Sequence, residues 1–151
     1  MANLKTSIAG IELRNPVLPA AGPNVKDAKA MLFAWDKGAG GIVSKTVSVI
    51  PAYDKRPTIR KTICSGLTNC ETWSETPLER YLEELHQVKN AKCPLITSIG
   101  YQPSEVRDLG NLIEREIDPE GFEFSVHYVG HSTEPIVEVA RTLRKTVDKP
   151  I

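Results

Sequence analysis

The stretch GFEFSVHYV, residues 121–129, decides between the two folds that the rest of the chain allows. The two-residue period of a strand sends Glu123, Ser125 and His127 to one face. A strand inside a doubly wound parallel sheet is covered by helices on both sides and reads as apolar throughout. A polar stripe suits the inside or rim of a closed barrel instead.

Outward from this strand, the chain alternates strand and helix. PSEVRDLGNLIERE (103–116) keeps Val106, Leu109 and Ile113 in helical phase, and CPLITSIG (93–100) before it is a short apolar strand. TPLERYLEELHQVK (76–89) predicts a helix with Thr76 as N-cap, Pro77 at the first position and Glu79 closing a capping box. Its apolar stripe is Leu78, Tyr81, Leu82, Leu85 and Val88. GGIVSK (40–45) is the second strand, and NVKDAKAMLFAWDKGAG (24–40) predicts a helix capped by Asn24, apolar at Met31, Leu32 and Trp35, and stopped by Gly38. PVLPAA (16–21) reads as the first core strand, entered through a tight hairpin around Gly10. Downstream, EPIVEVARTLRKTV (134–147) is a fourth helix and KPI (149–151) opens a fifth strand. Between Lys45 and Thr76 no helical period shows, and so long a loop in a compact domain is usually functional or disordered.

Four strand–helix units joined by right-handed crossovers imply parallel strands in an α/β arrangement. With the polar stripe, the expected fold is the N-terminal half of a TIM (β/α)8 barrel: about four βα units after a short β-hairpin, in one unit spanning residues 1–151. The 151 residues, 40% of them hydrophobic, suffice for one core. Nineteen basic residues against nineteen acidic ones argue against a nucleic-acid partner. No apolar run approaches the roughly 20 residues that cross a bilayer, so the expectation is a cytoplasmic protein with no membrane contact. Cys64, Cys70 and Cys93 are odd in number and irregularly spaced, which suits reduced thiols rather than a disulfide framework or metal site. His127 and His131 are four apart but straddle a strand end and a loop, and His86 lies off the helical stripe, so no metal is expected.

Active sites of such barrels lie at the C-terminal ends of the strands, where Lys45 ends the second one. A lysine there can hold a negative charge that develops on a ligand, such as a flavin during reduction, or it can snorkel to solvent.

NPVLPAAGP, GIVSKTVS, RPTI, SGLTN, PLITSIGY and GFEF, in this order and spacing, resemble the N-terminal half of the dihydroorotate dehydrogenase family of FMN-binding barrels. The likeness covers the whole chain and is strongest to the soluble members and the related flavin domain of dihydropyrimidine dehydrogenase. It implies FMN as cofactor, with Ala20, Ala21 and Gly22 along the flavin ring, where small residues allow close backbone approach. It further implies Lys45 beside flavin and substrate, with Thr46 next to it and Ser98 bordering the cofactor. Gly66, Leu67 and Asn69 match the loop that closes over a small-molecule substrate, although Asn69 can equally cap its own turn.

The pattern also breaks. Members that use orotate carry an asparagine where this chain has Ile63. After the fourth strand the family reads N-x-S-C-P-N or a close variant, whereas here Ser125 stands for the flavin-contacting asparagine, His127 for the serine, Tyr128 for the base and Gly130 for the substrate asparagine. Tyr128 or His127 can still move a proton, and Tyr128 can equally be a packing aromatic. The family's phosphate grip and a further lysine come from later strands, so completion by the rest of a longer chain, by another chain or by self-association is expected. The resulting expectation is an FMN-dependent oxidoreductase acting on a small cyclic or unsaturated compound other than orotate. Its rival is a non-catalytic half-barrel assembly subunit without flavin.

Overall fold

A computed structural model of the chain describes residues 3–126, 128 and 130–151. Strands β1 (Thr6–Ile8) and β2 (Ile11–Leu13) form the antiparallel hairpin expected around Gly10. Ala9 and Gly10 both take positive φ, 50° and 84°, the pair of left-handed residues that a tight two-residue hairpin turn requires. The next strands are β3 (Ile42–Val43), β4 (Ile59–Lys61), β5 (Leu67–Asn69), β6 (Leu95–Ile99) and β7 (Gly121–Phe124). The helices are α1 (Ala28–Asp36), α2 (Leu78–Asn90), α3 (Pro103–Glu116) and α4 (Glu134–Thr146).

β3, β6 and β7 form a parallel sheet in that order, with the β4–β5 hairpin inserted between the first two as a separate ribbon. The sheet's two ends are extended by single contacts. The Gly40 amide donates to the Val17 carbonyl (2.7 Å), and the Phe122 amide donates to the Pro150 carbonyl (2.8 Å). PVLPAA thus runs beside β3 without forming the ladder expected of a first core strand. Pro16 and Pro19 have no amide hydrogen to give, and Val17 is exposed. The approach to β3 is nonetheless close: a Cβ on Gly40 would lie 1.9 Å from the Asn15 carbonyl oxygen, so only glycine fits.

Helices cover one face of the sheet. Tyr81, Leu85 and Val88 of α2 are fully buried with Ile42, Leu95 and Ile99, while Val106, Leu109 and Ile113 of α3 meet Val139 and Leu143 of α4. Each such side chain contributes about 1.5–3 kcal/mol by leaving water. The opposite face carries Val43, Ile96 and Gly121 at one level and Ser98 and Glu123 at the next, by the register of the ladders. This face is open. Ile8, Leu18, Val43, Ile96, Gly121 and Ile151 line a largely apolar cavity of about 440 Å³ there.

Local differences from the sequence reading have local causes. Helix α1 starts three residues after a 3-10 turn at Pro23–Val25, and its N-cap is Asp27, whose carboxylate accepts from the Ala30 amide (2.8 Å), not Asn24. Helix α2 starts at Leu78 with Pro77 as N-cap, so Thr76 caps nothing and its amide donates to the Ser74 hydroxyl. The capping box is instead at α3, between Gln102 and Glu105. The aperiodic segment after Lys45 holds the β4–β5 hairpin. β7 ends at Phe124, short of the expected strand, and His127 of the polar stripe lies outside the described residues. The three cysteines are free thiols, and His86 is exposed. Among the described residues, no helix is long and apolar enough to cross a membrane, and no cluster of potential metal ligands occurs.

Candidate functional site

Residues 41–48, GIVSKTVS, are all buried, and their pairing with β6 carries an irregularity. The amides of Ile42, Ser44 and Val47 donate to the carbonyls of Pro94, Ile96 and Ser98, so three residue steps on this strand match two on β6. The extra residue is a bulge at Lys45–Thr46, a device that re-aims side chains at strand ends. Its backbone groups find partners elsewhere. The Lys45 amide donates to the Val25 carbonyl (3.4 Å), the Tyr81 phenol donates to the Lys45 carbonyl (2.9 Å), and the Thr46 carbonyl accepts from the Ser74 amide (2.8 Å).

The Lys45 side chain is 8% exposed and does not snorkel to solvent. Its Nζ lies 3.0 Å from Glu71 Oε2 and donates to the Thr72 carbonyl at 3.0 Å. Asp54 adjoins this pair and accepts from the Thr72 hydroxyl (2.6 Å) and amide (3.0 Å). Burial pushes the Asp54 carboxyl up, but the Thr72 bonds and the Lys45 and Arg56 charges outweigh it and hold the group below its ordinary value. Lys45, Asp54, Arg56 and Glu71, with Pro23, Trp73 and Glu75, line a polar cleft of about 330 Å³.

Beside the cleft, hydroxyl groups link the neighbouring strand ends. Thr46 Oγ1 and Ser98 Oγ are 2.9 Å apart, and the Ser98 hydroxyl donates to Glu123 Oε1 at 2.8 Å. Thr46 and Ser98 are buried, while Glu123 is exposed on the open face of the sheet. Thr46 and Ser125 lie beside the Tyr101 phenol, whose ring meets Trp73 with centroids 5.0 Å apart. Burial is the main cause that pushes this phenol up to about 12.

Lys45, Thr46, Ser98 and Ser125 therefore gather at the C-terminal ends of three adjacent strands. Ala20, Ala21 and Gly22 form an exposed to half-buried turn leading into Pro23, on the lip of the Lys45 cleft. A Cβ on Gly22 would meet only the Ala20 carbonyl oxygen, at 3.9 Å, so open space adjoins this turn. Small residues beside open space, neutral hydroxyls and a buried ammonium are a donor set suited to the ring of FMN.

Gly66, Leu67 and Asn69 are exposed on the β4–β5 hairpin. Asn69 Oδ1 accepts from the Glu71 amide (2.8 Å), the turn-capping bond that was one of its two readings, and so sets the approach of Glu71 to Lys45. Tyr128 is 37% exposed and covers Gly130, where a Cβ would lie 2.2 Å from the phenol oxygen. It lines a separate cavity of about 120 Å³ with Tyr101, Gln102 and residues of α4, none of which lines the Lys45 cleft.

Sequence reasoning missed Glu71, Asp54, Tyr101 and the tie from Glu123 to Ser98. Tyr101 stood in the PLITSIGY stretch without a role, and a carboxylate 26 residues from Lys45 in an aperiodic segment gives no spacing signal.

No family model matches the chain. It is 31% identical to the catalytic subunit of dihydroorotate dehydrogenase B (NAD(+)) of Methanothermobacter thermautotrophicus, over 98% of this chain and 52% of the relative. The same subunit of Pyrococcus furiosus is 28% identical over 99% of this chain and 52% of the relative. The chloroplastic dihydropyrimidine dehydrogenase (NADP(+)) of Arabidopsis thaliana is 31% identical over 58% of this chain and 23% of the relative. The chain thus spans about half the length of the dihydroorotate dehydrogenase relatives it matches.

Proposed function

We propose, from the premise that this chain is a homologue of dihydroorotate dehydrogenase B catalytic subunits, that it forms the N-terminal half-barrel of an FMN-dependent oxidoreductase. The observation that carries this reading is the convergence of Lys45, Thr46 and Ser98 at the ends of adjacent parallel strands. When bound, FMN would supply hydride transfer to or from a small cyclic or unsaturated substrate. Ala20, Ala21 and Gly22 would flank its ring, Thr46, Ser98 and Ser125 would border it, and Lys45 would neutralise charge that builds up on reduction. Gly66, Leu67 and Asn69 would close over the substrate from the hairpin, with Tyr128 or His127 as proton donor. Orotate itself is disfavoured by Ile63, which is fully exposed on that hairpin loop, and by Gly130 in place of an amide side chain.

The open apolar face supports completion by a second half-barrel, from the rest of a longer chain or from another polypeptide. One observation favours a non-catalytic assembly subunit instead: the Lys45 ammonium is already engaged by Glu71 and Thr72. Anaerobic mixing of the natively purified protein with reduced pyrimidines separates the two. The oxidoreductase bleaches the absorption of its bound flavin, and Lys45→Ala slows that bleaching at unchanged flavin content. Bound flavin that Lys45→Ala leaves equally reactive contradicts the role given to Lys45.

A further inference from the structure

We infer that Glu71 is the specificity residue of the Lys45 cleft: it holds the lysine neutralised, so the cleft takes an uncharged ring that offers a carbonyl oxygen and refuses the same ring carrying a carboxylate. This rests on the oxidoreductase reading and names the substrate class within it.

Lys45 Nζ and Glu71 Oε2 are 3.0 Å apart, and the two side chains are only 8% and 12% exposed, so solvent ions screen the pair little. Glu71 is held in place from several sides. Asn69 Oδ1 accepts from its amide at 2.8 Å, and the Thr58 hydroxyl lies 3.5 Å from Glu71 Oε1. The next residue, Thr72, gives its carbonyl to Lys45 and its amide and hydroxyl to Asp54. The carboxylate is therefore built into the wall at the place where an anionic ligand has to meet the lysine.

An ammonium has three hydrogens. Glu71 and Thr72 take two of them, and among the described residues the third has no bonded acceptor. A neutral carbonyl oxygen can accept that hydrogen and leave the ion pair intact. A carboxylate has to displace Glu71 or sit beside it, with Asp54 nearby as a second negative charge.

The rest of the cleft points the same way. Lys26, Lys45 and Arg56 line it against Asp27, Asp54, Glu71 and Glu75, three positive groups to four negative ones. Arg56 is itself engaged by Glu75. A wall of net negative charge repels an anion, and repulsion of the wrong ligand contributes to selectivity as directly as attraction of the right one. Trp73 adds a flat aromatic wall to a volume of about 330 Å³, which is room for one small ring.

Suitable probes are 5,6-dihydrouracil and the same ring with a carboxylate at carbon 6, which differ in that one charge. In calorimetric titrations of the natively purified protein, with whatever polypeptide accompanies it, the neutral ring should bind about tenfold more tightly or better. Glu71→Gln keeps the size of the side chain and an acceptor oxygen for Lys45 but removes the charge. It should tighten binding of the carboxylate-bearing ring by about 10- to 100-fold and move the neutral ring by less than about threefold. Glu75→Gln removes an equal charge that does not contact Lys45, and should leave the preference within about threefold of the original. If it relaxes the preference as far as Glu71→Gln does, the effect belongs to the overall charge of the cleft and the role of Glu71 is overturned. Equal or tighter binding of the carboxylate-bearing ring by the unaltered protein overturns the inference without any variant, as does binding of neither ring. A protein that binds no flavin yet prefers the neutral ring fails the oxidoreductase reading alone. Bound flavin that the carboxylate-bearing ring bleaches as fast as the neutral one leaves that reading standing and overturns this one.

Discussion

Replacing Glu71 by alanine removes the carboxylate that faces a lysine only 8% exposed, and the cost can be worked from the geometry. At an effective dielectric of about 20, charges 3.0 Å apart attract by about 5.5 kcal/mol, before the cost of desolvating them is set against it. Removing one partner of a buried pair leaves the other charge uncompensated and typically costs about 3–5 kcal/mol. Lys45 would keep the Thr72 carbonyl at 3.0 Å and the nearby Asp54 charge. The low end, about 3 kcal/mol, is therefore expected. Lys45→Met should cost at least as much, since among the described residues Glu71 would retain only a 3.5 Å contact from the Thr58 hydroxyl. The double variant Lys45→Met/Glu71→Leu should recover most of the loss, because it leaves no buried charge behind. Urea unfolding at pH 7, followed by tryptophan fluorescence, measures all three. A single-variant loss under about 1 kcal/mol, the range of exposed pairs, or a double-variant loss equal to the sum of the single ones, would refute the reasoning.

Asp54 binds its proton less readily in the folded protein than its ordinary value of 3.8 implies. Its contribution is thus complete above that value and is lost as pH falls through the lower folded one, so Asp54→Asn should flatten the decline of the melting temperature below about pH 4. Cys93 is buried and its thiol is pushed up to about 12 by burial, whereas Cys64 and Cys70 are exposed. A thiol reagent at pH 8 should titrate two cysteines in the native protein and the third only after denaturation. Gly40→Ala would set a Cβ 1.9 Å from the Asn15 carbonyl oxygen, and its backbone neighbours must move. A loss of about 3 kcal/mol or more is expected in the same unfolding assay.

The helices were legible because their apolar stripes repeat at helical spacing, and Tyr81, Leu85 and Val88 are buried as that spacing requires. The first hairpin was legible from Gly10 between alternating residues. Cap positions were harder to read, since Asn24 and Asp27 are both competent and a 3-10 turn chose the later one. Lys45 stood out at the end of an apolar run, but the bulge that seats it depends on hydrogen-bond register between strands about 50 residues apart, which no local pattern encodes. Glu71 reaches Lys45 through the β4–β5 hairpin and the Asn69 turn, both in a segment of mixed and exposed character. Tyr101 gained meaning only when Thr46 and Ser125 were found beside it.

The most direct measurement is the visible absorption spectrum of the natively purified protein with whatever polypeptide accompanies it. The account predicts flavin bands with FMN released on denaturation, in stoichiometric amount. A colourless protein that also takes up no added FMN in the presence of its partner would contradict it.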